Sequence, residues 1–575
     1  MSATRTTLVG RAAGRVRAVL PNRAALAAMG RSPRKDLVAG LTVAIVALPL
    51  ALGFGVASGA GAEAGLATAV VAGALAAVFG GSNLQVSGPT GAMTVVLVPI
   101  VHRYGTSGVL TVGLIAGLLL VALALGGAGR FMAYVPAPVV EGFTLGIAGV
   151  IGLQQVPAAL GVTKGDAENV VAVAGQALAD FARHPHPAAP AVALAVAAVM
   201  LVGARLRPGI PFSLLAVAAA TAVADLAHLD VATIGHLPAG LPLPSLGFLD
   251  PGAVPHLLTA ALAVAALAAL ESLMSATAAD AMSASERHDS DRELFGQGVA
   301  NLVAPLFGGV AATGAIARTA VNVRSGAVSR LAALVHAAVL AVVVFAAAPL
   351  VEGIPLAALA GVLIATAVRM VEVASLRALA RSGRGEAAVL ALTAAATLAF
   401  DLVTAVVVGL AVAGILALRQ VARSARLQQV PLHDGLAPAD HHEEERALLA
   451  EHIVAYRIDG PVFFAAAHRF LLQLAETTDV KAVILRLSHV TAIDSTGALA
   501  LGDAIGTLER RGILVLAAGV PDGHRRTLDA LGVLDTLQRQ GRVFAQTSDA
   551  IARARTELRT TGVLAEATAR KGTDR

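Results

Sequence analysis

The chain has 575 residues, of which 56% are hydrophobic and 14% charged, with a mean hydropathy of +0.75; these values exclude a soluble globular protein and indicate a polytopic membrane protein. It contains no cysteine, which excludes disulfides, thiolate metal sites and cysteine nucleophiles. A formal net charge of +5 and an isoelectric point near 10.0 do not argue for a nucleic-acid partner, because the basic residues cluster where membrane orientation puts them.

The first 35 residues carry Arg11, Arg15, Arg17, Arg23, Arg31, Arg34 and Lys35, with no acid before Asp36. The positive-inside rule makes 1–35 a cytoplasmic segment lying along the membrane surface. Apolar runs of about 20 residues, enough to cross a hydrocarbon core of about 30 Å, then recur from Leu37 to Leu418 and predict roughly twelve to fourteen spans. The first, Leu37 to Ser58, contains Pro49, Gly53 and Gly55, breakers tolerated where neighbours or a cavity satisfy the freed backbone. Its aromatic residue, Phe54, suits either packing or the wall of a cavity.

After a span ending at Phe79 comes FGGSNLQVSGPTGAM, closing at Met93, a glycine-interrupted segment that restarts as a helix. Spans follow at Val109 to Leu125 and Val135 to Val156, with a polar connection near Lys164 to Asn169. A Pro- and Gly-rich link, Gly235 to Pro255, divides the membrane part into repeats over 36–240 and 256–420. The second repeat echoes the first: Phe307-Gly-Gly answers Phe79-Gly-Gly, and Ile354-Pro355 with Gly361 answers Val135-Pro136 with Gly142. Interrupted segments at matching places in two halves are the sequence signature of a transporter's binding site at the repeat interface. An odd number of spans per half, taken here as seven, makes the halves inverted relative to one another.

Two groups in the second half stand out chemically. Glu271 is the charge buried in the apolar stretch from Leu257 to Ala279, and a carboxyl at that depth is a candidate functional group. Arg318 ends FGGVAATGAIAR, and an arginine at membrane depth must face a cavity or a partner. Between them, Ser285 to Glu293 is densely charged and predicted to be cytoplasmic; His288, Asp289 and Asp291 there are read as loop contacts rather than a metal site.

Past Leu418 the chain leaves the membrane through Arg419, Arg423 and Arg426, which places the C-terminal region in the cytoplasm. A polar linker, 421–449, leads to a soluble α/β domain over 450–562 and a tail over 563–575. Strands are predicted at His452 to Tyr456, Val480 to Leu487 and Ile513 to Gly519, with helices at Val462 to Leu474 and Thr496 to Arg511.

Glu271-Ser-Leu, Arg287-His-Asp, Gln297-Gly with Ala300-Asn301, Ala312-Thr-Gly-Ala-Ile-Ala-Arg-Thr319 and Gln85-Val-Ser-Gly-Pro-Thr-Gly-Ala92 together resemble the SulP (sulfate permease) anion transporters. The stretch VKAVILRLSHVTAIDSTGALAL resembles the STAS domain that follows the membrane part in that family. The resemblance implies fourteen membrane segments in two inverted seven-segment repeats, a homodimer, and a bacterial inner-membrane location with the N-terminus and STAS domain cytoplasmic. It implies an anion held between two half-helix starts: Thr90, Gly91 and Ala92 on the first, and Ile316, Ala317 and Arg318 on the second, with Thr313 in the same stretch and Phe54 matching an aromatic at the site. Helix N-termini favour anions on physical grounds as well, through unpaired N–H groups and partial positive charge. Ala67 and Leu50 depart from the family's usual tyrosine and glutamine.

Function therefore reads as secondary active transport of sulfate, bicarbonate or a dicarboxylate by alternating access, not as an enzyme, with no cofactor, no metal and no nucleic-acid partner. No phosphate-binding loop is visible to drive it with a nucleotide. For coupling, sodium-dependent members tend to carry aspartate where this chain has Glu271, with a hydroxyl one turn later, here Ser275. Burial among alanine and leucine disfavours the charged form of the longer carboxyl, which favours a proton over sodium as the coupling ion. The alternatives are a sodium-coupled bicarbonate symporter, an anion channel, and a membrane-anchored anion sensor signalling through STAS. In Asp494-Ser-Thr-Gly, Ser495 stands at the position phosphorylated in related stand-alone domains, whereas the plainer role of this turn is to cap the helix.

Overall fold

The computed structural model describes residues 19–20, 29–30, 32–130, 136–163, 169–207, 210–238, 240–283, 287–400, 402–424, 426–430, 452–462 and 480–560. Most of the predicted basic segment before Pro33, most of the 421–449 linker, the body of the helix predicted from Val462 and the tail from 563 lie outside these residues. The chain divides into two units, Met1–Ala413 and Gly414–Arg575.

The first unit is helical. Among the described residues seven helices are long and apolar enough to cross a membrane, including α1 (Pro33–Ala57), α2 (Ala62–Phe79), α3 (Gly91–Gly126), α4 (Ala137–Leu160), α5 (Ala188–Leu206) and α6 (Val254–Met282). Shorter helices that shape the site are α7 (Ser290–Val303), α8 (Ile316–Arg324) and α9 (Leu331–Ala346). Two departures from regular helix matter: α2 carries a π turn at Thr68–Ala72, and α3 breaks at Gly105, whose φ of 67° and ψ of −173° suit glycine alone. The span predicted from Val109 is thus the far part of a helix that begins at Gly91. The link from Gly235 is partly stitched down, because the Gly235 and Ser245 N–H groups donate to the Glu352 and Leu306 carbonyls.

Two interrupted stretches are fixed by long-range polar contacts. A Cβ at Gly81 would strike the Asp289 carbonyl, and one at Gly296 would strike the Gly80 backbone, so the Phe-Gly-Gly turn lets α7 lie directly on the loop. Glu293 of α7 then accepts from the Gly81 and Ser82 N–H groups at 2.9 and 3.0 Å, and from Gln85 and Gln297 side-chain amides at 2.8 and 3.0 Å. Arg330, just before α9, donates to the carbonyls of Ala77, Val78 and Gly80 and so caps the C-terminus of α2.

Asp36, in the first turn of α1, is fully buried and accepts from the Val328 and Ser329 N–H groups at 2.7 and 3.0 Å and from the Ser329 hydroxyl at 2.6 Å. Alanine there leaves buried N–H groups unpaired and is expected to cost about 2 kcal/mol. Thermal unfolding in detergent checks this; an unchanged Tm would show that the pairing contributes nothing.

The second unit is a sheet with helices on both faces. Strand β1 (Arg426–Val430) pairs antiparallel with β2 (Ile453–Val462). From β2 the sheet continues in parallel through β3 (Ala482–Arg486) and then, past a short strand β4 (Val490–Ile493) that pairs with the end of β2, through β5 (Leu514–Ala518) and β6 (Val543–Phe544). One face packs Val483, Leu485 and Val515 against the helix Ser495–Arg510; the other packs Ile484 and Leu516 against Thr547–Thr560. The sheet therefore begins inside the stretch read as linker. Asp494 is the N-cap of Ser495–Arg510, accepting from the Gly497 N–H at 2.6 Å, while Ser495 is exposed in the first turn. Asp494→Ala should lower this unit's stability by about 1 kcal/mol, readable as a shift in its denaturant midpoint; no shift would mean that the cap is dispensable.

Candidate functional site

In the first unit the extended pieces Ser87–Gly88 and Thr313–Gly314 pair antiparallel, Ser87 opposite Gly314 and Gly88 opposite Thr313. Each leads within three residues into a helix, α3 or α8. Thr90 is the N-cap of α3, with φ −127° and ψ 160°, and its hydroxyl accepts from the Met93 N–H at 3.4 Å. Ala315 caps α8 without a side-chain oxygen. Both helices thus start from one small ribbon, with first-turn N–H groups that have no partner within the helix.

Side chains from across the unit hold the ribbon. Asn301 mimics a strand, accepting from the Ala312 N–H at 2.8 Å and donating to its carbonyl at 2.9 Å. The Ser272 hydroxyl accepts from the Gly314 N–H at 3.0 Å, and the Gln297 amide donates to the Ser87 hydroxyl at 2.5 Å. From α8, Thr319 accepts from the Val86 N–H at 3.1 Å and Asn322 donates to the Leu84 carbonyl at 2.8 Å. Of these, Ser272, Gln297, Asn301 and Thr319 appear in the motifs that carry the family resemblance, but their roles do not follow from their spacing; Asn322 gives no sequence signal beyond being polar, and Glu293 reads in the sequence only as the end of a charged loop.

Glu271 of α6 meets the ribbon at its centre. Its Oε2 lies 2.8 Å from the Thr90 hydroxyl and 2.6 Å from that of Thr313, and the two hydroxyls are 3.1 Å apart. Thr90 and Thr313, 223 residues apart in sequence, are thereby joined at one carboxyl. Ser275, one turn on, is fully buried but bonds the Thr319 hydroxyl at 2.9 Å, so Glu271 and Ser275 engage different partners.

The remaining candidates lie around this cluster. Phe54 is buried, and a Cβ at Gly91 would collide with the Ile151 side chain and sit 3.1 Å from the Phe54 ring, so these two side chains cover the start of α3. Ala92 is buried in the same turn, whereas Ile316 and Ala317 are exposed at the start of α8. Arg318 is 1% exposed; its Nη2 donates to the Pro89 carbonyl, and its Nη1 has no hydrogen-bond partner among the described residues. The arginine thus reaches from the second half-helix to the lead-in of the first, with one donor group uncommitted. His288, outside this site, bonds Asp280 at 2.7 Å and Ser290 at 3.0 Å.

Arg318→Ala is expected to reduce anion affinity by about tenfold, the loss of one charge-assisted hydrogen bond of about 1.5 kcal/mol or more, with partial rescue by lysine. The check is the substrate concentration for half-maximal uptake in liposomes; unchanged affinity would remove Arg318 from the site.

Residues 34–393 match the sulfate permease family and residues 447–550 the STAS domain. Over 519 residues the chain is 35% identical to YvdB of Bacillus subtilis, provisionally named a sulfate transporter, a match covering 88% of this chain and 95% of that protein. It is 32% identical over 524 residues to the bicarbonate transporter BicA of a Picosynechococcus species, covering 87% and 91% of the two chains. Murine Slc26a9, an anion transporter solved in the inward-facing state, superposes with a TM-score of 0.78 at 17% identity over 91% of each chain, a likeness of fold.

Proposed function

Since the chain belongs to the sulfate permease family, with a helical membrane transporter fold and a C-terminal STAS domain, we propose that it is a secondary active carrier of a small anion, driven by protons. The anion, sulfate, bicarbonate or a dicarboxylate, binds between the starts of α3 and α8. Thr90, Gly91 and Ala92 supply one wall, Thr313, Ile316, Ala317 and Arg318 the other, and Phe54 the cover. Transport proceeds by alternating access in a homodimer of the bacterial inner membrane, with the N-terminus and STAS domain in the cytoplasm.

The observation that carries the coupling ion is the triangle of Glu271, Thr90 and Thr313 oxygens. Its sides of 2.6, 2.8 and 3.1 Å are hydrogen-bond lengths. Two hydroxyls have two hydrogens for three sides, so an ionised carboxyl leaves one side unbridged. A proton on Glu271 completes the ring. It also removes a negative charge from beside an anion site, so proton and anion bind with mutual help. Sodium is the second reading, because three oxygens around one point also suit a hard cation.

The class of protein is tested by counterflow. Liposomes preloaded with unlabelled sulfate, bicarbonate or dicarboxylate are expected to accumulate the same radiolabelled anion transiently above equilibrium. Flux without overshoot for every anion would indicate a channel; binding without flux would indicate a sensor.

A further inference from the structure

At one end of the first unit's helices lies a group of exposed arginines that the anion site does not use. It is built on three consecutive helices, α10 (Leu356–Met370), α11 (Val373–Ser382) and α12 (Arg384–Ala399). With 15 and 16 residues, α10 and α12 are each about 22 to 24 Å long, short of a hydrocarbon core of about 30 Å. Spans that short bring their flanking side chains to the level of the lipid headgroups. Val371 and Glu372 alone separate α10 from α11, which keeps the start of α11 within about 11 Å of the end of the span.

No residue of α11 is buried. Its inner side is fixed by Ser375, whose hydroxyl donates to Glu141 Oε1 of α4 at 2.8 Å, and Leu376 and Leu379 are partly covered. Arg377 and Arg381, four residues apart, form one exposed strip with Val373, which is 49% exposed. Val368, 54% exposed, and Arg369 lie at the end of α10, and Arg384 opens α12.

Two more arginines reach the same end. The helix Phe212–Leu226 meets α5 where a Cβ on Gly203 would strike the Phe212 ring, and meets the lead-in to α10 where Thr221 would lie 3.8 Å from a Cβ on Gly353. A Cβ on Gly361 of α10 would strike the Ala193 carbonyl of α5. These three contacts require α5 and α10 to run in parallel, so Arg205 and Arg207, at the end of α5, lie at the same end of the bundle as Arg369. Arg205, Arg207, Arg369, Arg377, Arg381 and Arg384 are exposed, and their side chains make no hydrogen bond or ion pair among the described residues. Of the acids on these elements, Glu141 accepts from Ser375 and Glu386 from Ser382, which leaves Glu372. Excess cation beside exposed valine is satisfied at the boundary between anionic headgroups and acyl chains, where the arginine stems lie along apolar surface and the charges meet phosphate.

We propose that this surface binds anionic phospholipid: the guanidinium groups of α11 and its neighbours pair with lipid phosphate, while Val368 and Val373 meet the upper part of the acyl chains. None of these residues belongs to the anion site described above, so the proposal stands whichever anion is carried and whichever ion drives it.

The test reads the ratio of phosphatidylglycerol to phosphatidylcholine that the full-length protein retains when purified from an equal mixture of the two in mild detergent. The wild type is expected to enrich phosphatidylglycerol. Arg369→Gln, Arg377→Gln, Arg381→Gln and Arg384→Gln together are expected to lower that enrichment at least about fivefold, the factor that one arginine near an anionic surface contributes. The same four positions changed to lysine keep the charge and should keep most of the enrichment. Arg183→Gln, at an exposed arginine already paired with Asp180, should leave it unchanged. No enrichment by the wild type, equal enrichment by the glutamine variant, or an equal loss in the lysine variant or in Arg183→Gln would overturn the proposal. Free phosphate is separated from lipid by thermal unfolding in phosphatidylcholine nanodiscs. Added inorganic phosphate should leave Tm unchanged there; a rise that the glutamine variant lacks would assign the arginines to a soluble oxyanion and overturn the lipid.

Discussion

Glu271→Gln is expected to abolish uphill accumulation while leaving anion exchange in place. A glutamine can still bridge the Thr90 and Thr313 hydroxyls, now 2.8 and 2.6 Å from one carboxyl oxygen, by turning its NH2 toward both as donor, but it cannot release a proton. One pH unit supplies about 1.4 kcal/mol per coupled proton, or about tenfold accumulation. Wild-type liposomes with the lower pH outside should therefore concentrate the anion about tenfold per unit of gradient, and Glu271→Gln liposomes should stop at equality. Counterflow, which needs no net proton movement, should survive. Proton-driven accumulation by Glu271→Gln equal to that of the wild type would remove Glu271 from coupling.

Gly91→Leu is expected to reduce uptake to the level of empty liposomes. Gly91 opens the first turn of α3, where backbone N–H groups without helical partners face the proposed anion. A side chain there enters the space of Ile151 and the Phe54 ring. Ile151 and Phe54 are both buried, so the leucine also presses on packed side chains, and Tm is measured beside uptake. Gly91→Ala, smaller by the leucine's branched end, should retain part of the activity. Wild-type uptake by Gly91→Leu, with normal expression and Tm, would place the anion elsewhere.

Features written locally in the sequence were the ones it disclosed. The Phe-Gly-Gly interruptions and the buried Glu271 are each visible within about a dozen residues, because glycine and charge are conspicuous in apolar surroundings, whereas the half-helix starts at Thr90 and Ile316 came from the family resemblance. Side-chain partners across 200 or more residues are not visible that way. Glu293 reaches the Gly81 loop, Asp36 reaches Ser329 and Asn322 reaches Leu84, each joining segments that no periodicity connects. Ser275 shows the limit within one helix. Its four-residue spacing from Glu271 places both near one face, but a neighbouring hydroxyl, Thr319, takes the serine. In the second unit the predicted strands and the Asp494 turn arise from alternation and capping signals. Strand β1 was hidden because a short edge strand beside a polar stretch has little apolar pattern to reveal it.

The measurement that bears most directly on proton-driven anion transport is simultaneous recording of internal pH and radiolabelled anion in sodium-free liposomes carrying the full-length protein. The anion used is the one giving the strongest counterflow. The account predicts that an inward proton gradient drives accumulation above the external concentration, and that adding the anion without a gradient acidifies the interior. Accumulation that appears only when sodium is added, or anion entry with no proton movement, would contradict it.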